Sequence, residues 1–305
     1  MAIKWERWDS EKISPRELLG FRNKALGLKS EPSPEELHAM KIHLAELARD
    51  KSLYNLVAFK SGKITAWMNG KFSEGRLTDI IRSLFFDHDL LSKQEVDDLL
   101  YQLEASLPHP FRRIEIHGLG PGRTQTAKLV SESGYRPAFE VAYFQRTIGK
   151  RRPSLAEAPT LDFDHTIYIH TAYDIYRNAF SSTWDRDMVV QAELVPIIEA
   201  SDNRFSFLAF IGESPAGLVI ANKGLSGDDS YLQIIAVQPR IRGRKVADTM
   251  MDYLERKLID AGINKLSLST YSDNEYMTRF LNRWNFEEIY KETVLYKEEI
   301  TGIKK

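Results

Sequence analysis

Residues 231–262 read YLQIIAVQPRIRGRKVADTMMDYLERKLIDAG. The segment opens as an apolar strand, Leu232-Gln233-Ile234-Ile235-Ala236-Val237, which Pro239 stops. A loop of cations around one glycine follows, Arg240-Ile241-Arg242-Gly243-Arg244-Lys245. Val246, Met250, Leu254 and Leu258 then recur at every fourth position, which predicts a long amphipathic helix ended by Gly262. The first amides of a helix have no intrahelical acceptor, and the dipole is positive there. A glycine at that point lets an anion approach the main chain. The nearest acid in the helix is Asp248. A diphosphate is the candidate ligand, and a solvated basic turn is the plain alternative.

Composition bounds the rest. A chain of 305 residues suggests two domains, and 43% hydrophobic with 28% charged residues can bury a core. A net charge of −1 gives no basic field for nucleic acid, and none is expected as a partner. With no cysteine, disulfides, a cysteine nucleophile and thiolate metal sites are excluded, and a cytoplasmic setting is expected. The opening residues Met1 to Glu6 do not read as a signal peptide, and no stretch is apolar for long enough to span a membrane. The seven histidines are scattered; His38 and His43 do not share a helical face, and no HExxH spacing occurs, so no metal is expected. No Gly-x-Ser-x-Gly elbow is present. The glycines of Gly118 to Gly122 are spaced wrongly for a dinucleotide fingerprint and read as a strand-to-helix loop.

Three capping boxes set helices in the first half: Ser14-Pro15-Arg16-Glu17, Ser33-Pro34-Glu35-Glu36 and Ser92-Lys93-Gln94-Glu95. They predict helices over Pro15 to Leu26, from Pro34 to about Arg49, and up to Ala105, where Leu107 to Pro110 break the chain. Strands are predicted at Leu53 to Phe59, Ile64 to Met68, Ile80 to Phe86, Arg113 to His117, around Tyr135 and from Phe139 to Arg146, with a helix from Thr124 to Ser133. Gly149 to Thr160 reads as a linker. The same order then returns: helices at Ile169 to Phe180 and Met188 to Ala200, a hairpin of Phe205 to Ile211 with Ala216 to Ala221, the opening strand, loop and helix, a strand at Leu266 to Ser269, a helix capped at Ser272 to Glu275, and strands at Phe286 to Ile289 and Thr293 to Lys297. Ile114 falls on Leu266, an offset of 152. One domain is duplicated, as residues 1–148 and 161–305 joined by 149–160.

Val237-Gln238-Pro239, Arg242-Gly243 and Val246-Ala247 resemble the acetyl-coenzyme A motif of the GCN5-related N-acetyltransferases (GNAT); the motif's second glycine is Lys245 here. The order of elements is similar to that fold over nearly the whole chain, as in tandem members such as mycothiol synthase. The resemblance implies an α/β layered protein of two GNAT-like domains, each a mixed, mostly antiparallel sheet flanked by helices. It implies acetyl-CoA as co-substrate, held by Ile235, Ala236, Val237, Arg242, Gly243, Arg244, Lys245, Val246, Ala247 and Asn274, and direct transfer of the acetyl group to a small-molecule or peptide amine.

Two departures qualify the implied chemistry. The tyrosine that protonates the thiolate in the family is Leu281 here, with Asn274, Met277 and Thr278 on the same helical face and Tyr276 off it. Alternation puts Tyr231, Gln233, Ile235 and Val237 on one strand face. Tyr231 and Thr278 are the candidate catalytic groups, and Asp228 and Asp229 read as turn residues. Trp184 and Asp185 to Asp187 lie where the family shapes its acceptor pocket. The first half has no Arg-Gly loop: Ser92 and Glu95 fill the helix's own amides, and Asp87, Asp89 and Glu95 make that end acidic. The first domain is expected not to bind CoA, and the chain to be a monomer or homodimer. The alternative is a non-catalytic acyl-CoA-binding or partner-binding protein.

Overall fold

A computed structural model of the chain describes residues 3–298 apart from 10–11, 27–30, 35, 39, 42–43, 45–52, 74–77, 88, 107–112, 120–122, 150–152, 184–188 and 225–227. The expectations for residues 107–110, 120–122 and 184–187, and most of the helix expected from Pro34 to about Arg49, lie outside the described residues. In chain order the elements are β1 (Trp5–Arg7), α1 (Pro15–Ala25), β2 (Leu53–Lys60), β3 (Lys63–Ser73), β4 (Thr78–Phe86), α2 (Lys93–Ser106), β5 (Arg113–Ile116), α3 (Thr124–Glu132) and β6 (Arg136–Thr147). They continue as β7 (Asp162–Asp164), α4 (Ile169–Ala179), α5 (Gln191–Glu199), β8 (Phe207–Ile211), β9 (Ser214–Lys223), β10 (Asp229–Val237), α6 (Val246–Asp260), β11 (Lys265–Tyr271), α7 (Glu275–Arg283) and β12 (Glu287–Glu298). The capping boxes start their helices as the side chains dictate: Glu17 N–H donates to Ser14 Oγ while Glu17 Oε2 accepts from Ser14 N–H at 2.8 Å.

The chain forms two compact units. One holds the residues up to Val141 and those from Lys291 on; the other is Ala142–Tyr290. The membership differs from the halves read in the sequence, because each half ends in one long strand where two short ones are predicted. The end of β6 lies beside β11 in the second unit, and the end of β12 beside β5 in the first. Alternation specifies which face of a strand is apolar, and says nothing of which edge it joins.

In the first unit the strands run β1-β2-β3-β4-β5-β12, with β4 and β5 parallel and the other pairs of β1 to β5 antiparallel. Val96, Leu99, Leu103 and Val130 of α2 and α3 cover one face; Leu18, Leu19 and Phe21 of α1 cover the other. In the second unit the order is β7-β8-β9-β10-β11-β6. Met250, Leu254 and Leu258 of α6, with Phe280 and Leu281 of α7, pack on one face; Ala172, Ile175 and Leu194 of α4 and α5 pack on the other.

Candidate functional site

A cleft of about 680 Å³ opens in the second unit. Its origin is the pairing of β10 with β11. The two parallel strands pair only over Asp229–Tyr231 against Lys265–Ser267, although β10 runs on to Val237 and β11 to Tyr271. Beyond Tyr231 they part, so Ile235, Ala236 and Val237 present an open strand edge to the cleft. An unpaired edge inside a cleft offers main-chain donors and acceptors to an extended ligand.

The loop after β10 forms the adjoining wall through Arg242, Gly243, Lys245, Val246 and Ala247. Gly243 has φ 79° and Lys245 φ 59°, both left-handed. Lys245 therefore holds the conformation that a glycine takes without cost, at a penalty of about 1–2 kcal/mol. No side chain caps α6, and its first intrahelical bond runs from Thr249 N–H to the Lys245 carbonyl. The amides before it are left for a ligand. The contrast with α2 is chemical: there Glu95 N–H donates to Ser92 Oγ, and the Glu95 carboxylate takes both Ser92 N–H and the Lys60 ammonium.

Among the described residues lining the cleft the one acid is Asp248, and it is ion-paired. Asp248 is buried and accepts from Trp284 Nε1 at 2.8 Å and from the Arg283 guanidinium at 3.2 Å. Arg242 donates to the Ala179 carbonyl, at the negative end of α4. Arg244 is exposed and outside the cleft wall.

The reactive groups sit differently from the strand alternation. A bulge at Gln233 shifts the pairing of β10 with β9 between Leu232 and Ile234. Leu232, Ile235 and Val237 consequently face α6 and α7, while Ile234 and Ala236 face α4 and α5. The extra residue reverses the phase, and Tyr231 is parted from Ile235 and Val237. Its hydroxyl lies 2.7 Å from Ser269 Oγ, where the pairing of β10 with β11 ends and the strands close, and neither residue is part of the cleft wall. Ser269 was invisible to motif reading because it becomes a neighbour only through the parallel pairing of β10 and β11.

On α7, Asn274 and not Ser272 is the N-cap: its Oδ1 accepts from Met277 N–H at 3.1 Å. Thr278 lies outside the cleft wall, and its hydroxyl donates to the Asn274 carbonyl at 3.1 Å. Leu281 is fully buried in the core. Tyr276, set off the face by helical spacing, borders the cleft and is 84% exposed. Among the described residues no three His, Asp or Glu side chains converge as a metal site, and no helix is long and apolar enough to cross a membrane.

Residues 169–286 match the acetyltransferase (GNAT) family model. The second unit carries a GNAT domain. An acetyltransferase of Photorhabdus laumondii is 28% identical over 90 residues, 30% of this chain; the match spans 61% of that relative's length. The fold as a whole is similar to a GCN5-related N-acetyltransferase from Sphaerobacter thermophilus, at 13% identity and a TM-score of 0.71 over 97% of this chain and 95% of that one. It is also similar to a tandem GNAT protein from the clavulanic acid biosynthesis pathway, at 13% identity and a TM-score of 0.64 over 97% and 98% of the two chains. The chain thus has the fold of tandem GNAT proteins.

Proposed function

We propose that the second unit transfers an acetyl group from acetyl-CoA directly to an amine. The observation that carries this reading is the uncapped start of α6 opening onto the same cleft as the free edge of β10. The amides after Gly243 receive the diphosphate, and the edge of Ile235 to Val237 pairs with the amide-bearing arm. The thioester is then directed toward Tyr231 and Ser269, where the strands close. The amine nitrogen attacks the thioester carbon, the new C–N bond forms, the C–S bond breaks and CoA leaves as thiolate. Tyr231 is the proposed proton-handling group, by which the proton lost from the nitrogen reaches the departing thiolate. Holding both reactants in line can supply about 7–11 kcal/mol without a covalent enzyme intermediate.

A thermal-shift titration tests the donor. Acetyl-CoA at about 100 times its dissociation constant adds roughly 2.7 kcal/mol to stability. The wild type should show the shift. Gly243→Glu should not, since it puts a carboxylate at the anion site on backbone with φ 79°. Release of free CoA with a panel of amines then tests transfer.

A second reading is non-catalytic acyl-CoA binding. Leu281, fully buried where the family carries its tyrosine, favours it. Binding without turnover on any amine would select it. We also propose that the first unit takes no CoA, because Ser92, Glu95 and Lys60 occupy the corresponding helix start. Calorimetry should then give one acetyl-CoA per chain.

A further inference from the structure

The segment that the sequence presents as a linker is part of the cleft. Pro153 and Ser154 line the wall that Gly243 and Lys245 also line. The segment is anchored at both ends: Ile148 N–H donates to the Asn264 carbonyl at 2.8 Å, and Leu161 is buried in the core under α6. Between these anchors residues 154–158 fold on themselves. Ala158 N–H donates to the Leu155 carbonyl at 2.9 Å, and Ala156 N–H to Ser154 Oγ at 3.3 Å. Glu157 closes the turn at φ 66°. At its crest the Ala156 carbonyl accepts from the Lys245 ammonium at 2.5 Å.

Lys245 is the residue that stands in the family's glycine position, in a conformation that costs a side chain free energy. The retained ammonium has a use here, which is to fasten residues 153–158 against the anion loop. Ser154 Oγ accepts from Ala156 N–H, and its own proton remains available to a second partner. The cleft beside Gly243 supplies that partner when a phosphoryl group is bound.

Resting on the acetyl-CoA reading above, we propose that residues 153–158 are a strap that completes the phosphate site, with Ser154 as an additional phosphoryl ligand and Lys245 as the residue that positions the strap. The strap acts on the phosphorylated part of the donor and not on its acyl-bearing arm.

The test compares acetyl-CoA with acetyl-pantetheine, which has the arm and no phosphate. Ser154→Ala should weaken acetyl-CoA binding roughly tenfold, the loss of one hydrogen bond to a charged group, and leave acetyl-pantetheine unchanged. Lys245→Met should do the same. Without ligand it should also speed hydrogen exchange at the amides of Ala156 and Ala158, a readout that a direct lysine–phosphate contact would not move. Full affinity for acetyl-CoA in both variants, with binding still lost in Gly243→Glu, overturns the strap and leaves the donor reading standing. A wild type that binds no acetyl-CoA overturns both.

Discussion

Arg146 Nε lies 2.6 Å from Glu255 Oε1, and both side chains are fully buried. Arg146 comes from the end of β6, in the first half of the sequence, and Glu255 from α6, the helix whose start is the proposed anion site. The guanidinium also lies 5.3 Å from the Trp284 ring. Removing one partner of a buried ion pair costs about 3–5 kcal/mol. Arg146→Met should therefore lower the melting temperature sharply, and adding Glu255→Leu should recover much of the loss. A fragment of residues 161–305 lacks this strand and should fail to fold; one starting before Ala142 has it. Cooperative melting of the 161–305 fragment would show that β6 is dispensable.

Gly217 faces the cleft strand from the β9 side, paired with Val237. A Cβ there would meet Met250 Sδ at 2.5 Å and the Ala236 carbonyl at 2.8 Å. The thioether can swing aside, but the carbonyl belongs to the strand that edges the site. Gly217→Ala should cost about 1–3 kcal/mol by overpacking. It should also weaken the acetyl-CoA shift by moving Ala236 and Val237. A stability loss with unchanged affinity would mean that Met250 absorbs the strain alone.

The capped helix of the first unit carries a pH signature. The Lys60 ammonium, then Ser92 N–H and hydroxyl, hold the Glu95 carboxyl at about 2, from an ordinary 4.5. A depressed folded value means that the contribution is present above the unfolded value near 4.5 and is lost as pH falls toward about 2. Melting temperatures should drop across that window, and Glu95→Gln should flatten part of the drop. The variant should not alter acetyl-CoA affinity if the second unit alone holds the donor.

The elements that local chemistry specifies were legible. Ser14, Ser33 and Ser92, each with a glutamate three positions on, mark helix starts wherever they occur, and the apolar spacing of Val246 to Leu258 leaves one reading. The loop proposed to hold an anion is equally plain, because its glycine and cations are contiguous. What escaped depends on partners distant in sequence. The exchange of β6 and β12 leaves no trace in either strand's alternation. The bulge at Gln233 is set by the mismatch of β10 against β9, and it moved Tyr231 away from Ile235. β1 and β7, three residues each, are too short to show a period. The polar run of residues 149–160 hid a cleft wall because its contact with Lys245 is made by a main-chain carbonyl, which any residue supplies.

The point where β10 and β11 close makes the sharpest demand on the proposed chemistry. Tyr231 and Ser269 share a 2.7 Å hydrogen bond there, while the Thr278 hydroxyl is taken by the Asn274 carbonyl. Tyr231→Phe keeps the ring and removes the proton. General acid–base groups contribute about 10²–10⁴-fold, so kcat should fall by at least about a hundredfold with acetyl-CoA affinity unchanged. Ser269→Ala, which removes this one hydrogen bond from the tyrosine, should lower kcat less. Thr278→Val should leave kcat unchanged. A Tyr231→Phe enzyme with wild-type kcat would assign the proton to solvent and leave positioning as the whole of this protein's contribution to the rate.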